Sequence, residues 1–125
     1  MNAPDISESE WTVMEALWKR SPQTAAEVAR GLRRSTGWAI NTVRTLLTRL
    51  VEKGALEARE NEEGVREFTP VVDREVCVRA ESDSFLQRVF RGAAKPLLVY
   101  FAANSKLTRE EVQELKRLFD QSLKK

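Results

Sequence analysis

Residues 40–51 form a segment with two chemically different faces, and this segment limits the possible folds more than any other part of the chain. Its apolar residues recur with the spacing of an α-helix, at Ile40, Val43, Leu46, Leu47, Leu50 and Val51. The other face is polar and carries no acid, with Asn41, Thr42, Arg44, Thr45, Thr48 and Arg49. Each of these polar side chains can donate a hydrogen bond. The segment therefore predicts a helix that buries one face in a core and presents donors suited to base edges and phosphates.

The start of the chain carries a complete signal for a first helix. Ser7 and Glu10 form an S-x-x-E capping box, in which each side chain accepts a hydrogen bond from the backbone of the other residue. Apolar residues then repeat at helical spacing, at Trp11, Met14, Leu17 and Trp18. We predict a helix from about Glu8 to Lys19 that stops at Ser21-Pro22.

A second capping box, formed by Thr24 and Glu27, opens another helix. We expect this helix to be shorter and to end near Arg34, because residues 35–37 read Ser-Thr-Gly, which is typical of a turn. Two helices and a turn thus precede the two-faced helix. This is the order of a helix-turn-helix.

After Gly54 the hydrophobic pattern changes to that of strands. Residues 56–60 alternate, residues 61–64 form a polar turn, and residues 65–69 return before Pro70. We predict a short β-hairpin, which makes the order that of a winged helix-turn-helix whose third helix enters the major groove. Because Glu60, Glu62 and Glu63 would repel phosphate, we expect this wing to add little affinity.

Residues 73–125 return to helical patterning, with a third capping box at Thr108 and Glu111. They hold 17 large apolar side chains, more than three short helices can bury within one chain. We therefore predict a mainly α protein with a small β-hairpin: a winged helix-turn-helix domain over 1–72, then a helical dimerisation domain over 73–125. The expected contacts between protomers are Phe85, Val89, Leu97, Phe101, Val112, Leu115, Leu118 and Phe119.

The amino-acid composition excludes several classes of enzyme and metal site. The chain has no histidine and a single cysteine, which excludes histidine-based acid and base catalysis, the usual nucleophilic triads and the usual zinc sites. We expect no enzyme activity, no metal and no cofactor. A single thiol, Cys77, is more typical of a small packed hydrophobe than of a redox sensor.

The same sequence predicts a cytoplasmic protein without a membrane partner. A lone cysteine cannot close a disulfide within the chain. The longest apolar run, residues 97–103, has 7 residues against the roughly 20 that span a bilayer. Residues 1–10 are polar and acidic, unlike a signal peptide.

Charge is unevenly distributed. The whole chain carries 21 Lys and Arg against 19 Asp and Glu, a balance that would not by itself suggest nucleic acid. Residues 28–53, however, hold six cations and one acid. A local concentration of positive charge on the predicted helix-turn-helix favours a surface that faces phosphates, rather than a small α+β domain with a merely solvated helix.

Several segments of the sequence resemble those of a known family. Residues 38–50, WAINTVRTLLTRL, followed by KGAL at 53–56, are similar to the recognition helix of the penicillinase and methicillin-resistance repressors. The likeness extends along the chain, through SEWTVM at 9–14, FTP at 68–70, SFL at 84–86, and LTREEVQEL at 107–115.

The resemblance implies a homodimeric repressor that binds double-stranded DNA without a cofactor, with each chain on half of an inverted-repeat operator. Thr42, Arg44 and Thr45 would face bases or nearby phosphates, and Arg49 would contact a phosphate. Asn41 stands where the family often has lysine after a helix-starting proline. The resemblance therefore implies the mode of binding but not the operator sequence.

The resemblance also suggests how repression ends. In antibiotic-responsive members a sensor-controlled protease cuts an Asn-Phe bond in the dimerisation region, and the matching residues here are Tyr100 and Phe101. Two aromatic residues at that spacing are more typical of a dimer core than of a cut site. Copper-responsive relatives carry Cys-x-Cys pairs, which this sequence lacks, so copper sensing by that route is excluded.

A hypothesis from another class keeps the winged helix but makes it a protein-interaction module, with residues 41–49 docking an acidic partner. The two hypotheses differ in one measurable property. Binding to DNA by a repressor should weaken steeply with salt, because the release of counterions then contributes less.

Overall fold

The computed structural model describes residues 3–104 and 106–123 and divides into two compact units, one through Glu81 and one from Ser82 onward. The elements, in chain order, are α1 (Glu8–Lys19), β1 (Gln23–Thr24), α2 (Ala25–Thr36), α3 (Ile40–Glu52), β2 (Leu56–Glu60), β3 (Arg66–Pro70), α4 (Arg74–Phe90), α5 (Ala94–Asn104) and α6 (Arg109–Leu123). The predicted mainly α class with a small hairpin is confirmed.

The core of the first unit lies between the first three helices and the sheet. Its buried residues include Val13, Met14 and Leu17 of α1, Val28 of α2, Val43, Leu47 and Leu50 of α3, and Leu56 and Phe68 of the strands. Because these residues occupy the apolar positions of the amphipathic pattern, burial sets the rotation of each helix about its axis. The indole rings of Trp11 and Trp18 pack edge-to-face against each other at 5.4 Å, beside this core.

The capping boxes form as the sequence predicts. Glu10 N–H donates to Ser7 Oγ at 3.2 Å while Ser7 N–H donates to the Glu10 carboxylate at 2.9 Å. The same reciprocal pair joins Thr24 to Glu27 at the start of α2. These bonds satisfy backbone donors that a helix start otherwise leaves without partners.

The end of α2 differs from the prediction. The helix continues to Thr36, two residues beyond Arg34, and is as long as α1, with 12 residues each. The hydroxyl of Thr36 donates to Leu32 O at 2.7 Å, so this side chain bonds within the last turn rather than forming a separate turn. Gly37 then ends the helix with φ +68°, the left-handed conformation that glycine adopts without strain.

The sheet has a strand that the sequence did not predict. The order is β1-β3-β2, and both pairings are antiparallel. β1 is only two residues long, Gln23 and Thr24, and pairs with Phe68 and Glu67 of β3. A two-residue strand leaves no periodic signal, so only the tertiary structure reveals it. β3 is therefore the central strand, bonded on both sides.

The second unit is helical and has no buried residue among those described from Ser82 to residue 123. Arg91, at φ 53°, and Gly92, at φ 86°, separate α4 from α5. Thr108 and Glu111 form the third capping box at the start of α6. No helix in the described part of the chain is long and apolar enough to cross a membrane.

Candidate nucleic-acid interface

The polar face of α3 is exposed along its whole length. Its apolar residues Val43, Leu46, Leu47 and Leu50 are buried, which turns the opposite side of the helix to solvent. The side chains exposed there are all six that the sequence singles out, Asn41, Thr42, Arg44, Thr45, Thr48 and Arg49. The structure thus brings the predicted DNA contacts together on one surface, which we call the donor face.

Hydrogen bonds within the donor face leave most of its donors free. Thr45 Oγ1 donates to Asn41 O at 3.0 Å, and Arg44 Nη1 lies 3.5 Å from Asn41 Oδ1, at the limit for a hydrogen bond. Among the described residues, the side chains of Thr48 and Arg49 have no hydrogen-bond partner. Donors without an internal partner are available to an external acceptor.

The start of α3 is electrostatically suited to an anion. Ala39 is the N-cap and provides no side-chain bond, and the first turn contains no acid. The positive end of the helix dipole is therefore not offset by a carboxylate. The exposed cations of α2, Arg30, Arg33 and Arg34, add further positive charge to the helix-turn-helix.

A cleft of about 370 Å³ lies where the wing meets the two helices. We call it the wing cleft; its lining residues are Thr24, Ala25, Ala26, Arg44, Thr48, Val65, Arg66 and Phe68. Arg44 and Thr48 belong to both the cleft and the donor face. Arg66 is a cation that the sequence patterns do not single out, although its position two residues before Phe68 places it on the same side of β3.

The tip of the wing is acidic, as the sequence indicates. Glu62 and Glu63 are exposed in the turn between β2 and β3. Asn61 shapes this turn, because its Oδ1 accepts hydrogen bonds from the backbone N–H groups of Glu63 and Val65 at 2.9 and 3.0 Å. Gly64 supplies the positive φ that the turn requires, at 79°.

The predicted dimerisation residues all lie in the second unit, from Phe85 onward. Leu97 is half-buried, and the other seven are exposed, namely Phe85, Val89, Phe101, Val112, Leu115, Leu118 and Phe119. Tyr100 and Phe101 lie in the middle of α5, with their rings edge-to-face at 5.6 Å. Tyr100 O also accepts a hydrogen bond from Asn104 Nδ2 at 2.9 Å.

Cys77 is buried in the first unit and does not contribute to this surface. Burial raises the pKa of its thiol, and the nearby carboxylate of Asp73 raises it further. A thiol with a raised pKa is a poor nucleophile. The described residues also contain no group of three or more His, Cys, Asp or Glu that could hold a metal ion.

Three helices followed by a hairpin, with a donor face on the third helix, define a winged helix-turn-helix protein. The sequence profile described as penicillinase repressor matches residues 6–121. This chain belongs to that family.

Individual relatives agree with this assignment. The chain is 34% identical over 118 residues to a penicillinase repressor of Bacillus licheniformis, covering 94% of this chain and 91% of that protein. It is 25% identical over 116 residues to the methicillin resistance regulatory protein MecI of Staphylococcus aureus, covering 93% and 94%. A solution structure of monomeric BlaI of Bacillus licheniformis, in complex with the blaP half-operator, matches with TM-score 0.53 and 35% identity, covering 61% of this chain and 93% of that one.

Proposed function

We propose that this protein is a DNA-binding transcriptional repressor, without enzymatic activity, that acts in the cytoplasm on an operator. The observation that carries the proposal is the donor face of α3, whose Thr, Asn and Arg side chains are exposed together with no acid among them. Arginine and asparagine are side chains that read guanine and adenine in the major groove. The names of its relatives, penicillinase repressor and methicillin resistance regulatory protein, support repression as the outcome.

Asn41, Thr42, Arg44 and Thr45 would meet base edges or nearby phosphates, and Thr48 and Arg49 would meet the backbone farther along α3. Contacts of the first kind give sequence specificity, whereas contacts of the second kind fix the position of the helix on the duplex. Thr45 is already held at the start of the helix, because its hydroxyl donates to Asn41 O at 3.0 Å. Part of the entropy cost of ordering Thr45 is therefore met before DNA binds.

The active form in this proposal is a homodimer. We assign DNA binding to residues 1–72 and dimerisation to residues 73–125, most of which belong to the second unit. The described residues of α5 and α6 include none that is buried, although Leu98, Phe101, Leu115 and Phe119 are large and apolar. A protein of this kind gains stability by covering such a surface with a second copy. Two DNA-binding domains would then address an inverted repeat, with recognition helices about 34 Å apart or a multiple of that.

The proposal also includes how repression ends: a sensor-controlled protease would cut the repressor and release it from DNA. The peptide bond between Tyr100 and Phe101 lies within α5. The carbonyl oxygen of Tyr100 also accepts a hydrogen bond from the side chain of Asn104. A protease binds its substrate in an extended form, so α5 would have to unwind before this bond could be cut. We therefore propose that cleavage at this bond is slow.

The test is selection of bound sequences from random duplex DNA with the full chain, repeated at two salt concentrations. An inverted repeat with steep salt dependence is the expected result. Weak binding that ignores both sequence and salt would overturn the proposal. It would favour instead a winged helix whose donor face docks an acidic protein.

A further inference from the structure

The wing cleft contains two guanidinium groups from different elements, Arg44 of α3 and Arg66 of β3. None of the residues that line the cleft is acidic. Within the described residues, neither arginine forms an ion pair within 4.0 Å. Two cations that share a cleft repel each other unless an anion lies between them, so the cleft favours a negatively charged occupant.

Arg66 is held in place by its own strand. Residues 66 and 68 lie on the same side of β3, and Phe68 is buried in the core. The guanidinium carbon of Arg66 lies 5.6 Å from the centre of the Phe68 ring, within the range of a cation–π contact. The charged group is therefore directed along the core side of the wing and away from its acidic tip.

The pairing of β3 fixes this position relative to the helices. Glu67 is paired with Thr24, which is also the N-cap of α2, and Arg66 is paired with Glu60 on the other side. A central strand bonded on both edges has less freedom than a hairpin attached at one edge. The position of the Arg66 backbone relative to the start of α2 is thus set before any ligand binds.

We propose that Arg66, together with Arg44, binds a phosphodiester group of the DNA backbone in the wing cleft. The inference rests on the proposed function and deepens it, because the cleft shares Arg44 and Thr48 with the donor face. Arginine binds phosphate through two parallel hydrogen bonds, and Thr48 can donate a third. The wing would thus contact DNA through its base, while Glu62 and Glu63 at its tip stay away from the backbone.

Glu60 opposes Arg66 across the strand pair and lies on the same side of the sheet. A carboxylate at that place weakens the attraction of Arg66 for phosphate without closing the cleft. Replacing it by its neutral isostere, Glu60→Gln, is therefore expected to strengthen DNA binding. The gain should disappear when Arg66 is also replaced.

The experiment compares operator affinity over a range of salt for the full chain, Arg66→Ala and Arg59→Ala. Arg59 is the matched control, because it lies on the neighbouring strand, is exposed and is paired with Glu57 at 3.5 Å instead of lining the cleft. Arg66→Ala should weaken binding about tenfold on operator and on unrelated duplex alike, since binding to a phosphate carries no sequence information. The slope of log affinity against log salt should fall by about 0.9 for each phosphate that the variant no longer neutralises.

A second variant separates charge from packing. Arg66→Met keeps an unbranched stem over Phe68 and removes only the cation, so it should fold like the parent and still show a weaker salt dependence. Arg66→Lys should keep most of the slope. An unchanged slope and affinity in Arg66→Met, while the parent binds the operator with steep salt dependence, would overturn the inference and leave the proposed function standing. A parent that does not bind DNA in a salt-dependent way would overturn both.

Discussion

Lys53 Nζ lies 2.5 Å from the carboxylate of Glu10 and 2.7 Å from Asp5 O. Glu10 is the capping-box residue of α1, and its side chain is 3% exposed; Lys53 is the C-cap of α3. One ion pair thus joins the start of the first helix to the end of the helix that carries the donor face. Buried glutamates are rare unless they are paired, and this pairing explains why Glu10 can lie in the core.

Lys53→Met should destabilise the first unit, because it leaves the Glu10 carboxylate buried without its cation. We expect a loss of about 2 kcal/mol in the free energy of unfolding. This is less than the ~3–5 kcal/mol lost when a fully buried ion pair is broken, because Lys53 is partly open to water. Chemical denaturation measures this. Lys19→Met, at the exposed end of α1, is the control and should change stability little. Equal losses in the two variants would contradict the assignment.

Glu10 should also make stability depend on acidity. Burial by itself raises the pKa of Glu10, but the hydrogen bonds from Lys53 and from the Ser7 backbone outweigh it, and the net pKa is lowered. A pKa that is lower in the folded state means that the unfolded chain binds the proton more readily. Stability should therefore be complete above the ordinary glutamate pKa of about 4.3 and fall as pH drops below it. Denaturation of Glu10→Gln across this range should show a smaller acid-dependent loss; an identical profile would disprove the role of Glu10.

Arg44→Ala should weaken operator binding by about 1–3 kcal/mol if the side chain contacts a base, with relaxed specificity at that position. If Arg44 instead contacts phosphate from the wing cleft, the loss should be similar on all duplexes. Binding measured on the operator and on single-substitution operators distinguishes the two. Arg79→Ala, an exposed cation of α4 far along the chain from α3, is the control. Unchanged affinity in Arg44→Ala would remove Arg44 from the interface.

Leu118→Asp should give monomers that bind the operator weakly. Leu118 is 52% exposed and lies beside Leu115 and Phe119 on α6, so a charge there would be buried in the proposed dimer. Gln113→Asp adds the same charge on the side of the helix turned away from Leu118 and should leave the dimer intact. Light scattering measures the mass of each variant. A Leu118→Asp protein that is still dimeric would show that the interface is elsewhere.

Cleavage at Tyr100-Phe101 by a sensor protease of a penicillinase-repressor system should be slow. The resemblance to antibiotic-responsive repressors implies a cut after asparagine, whereas this chain has tyrosine at that position. The carbonyl of Tyr100 is also held by the side chain of Asn104. Tyr100→Asn should increase cutting, and Asn104→Ala should help by loosening the last turn of α5. Mass spectrometry of the fragments gives the position and the rate. Rapid cutting of the parent at this bond would refute the prediction.

The helices of this protein were predictable because their signals are local. Capping boxes and apolar repeats span only a few residues, and the start of α1 and the rotation of α3 agree with them. The prediction of where α2 ends was less accurate. Serine and threonine are typical of turns, but their hydroxyls can also bond to the helix backbone, as Thr36 does with Leu32.

Local sequence specifies which residues form the helices, which face of α3 is polar and that the hairpin follows it, since each of these depends on neighbours along the chain. Three other relationships follow from tertiary packing alone: β1 joins the wing, Glu10 meets Lys53, and Arg66 shares a cleft with Arg44. They join residues more than 20 positions apart. They depend on how the elements pack, and no periodic pattern within one element encodes the packing of two.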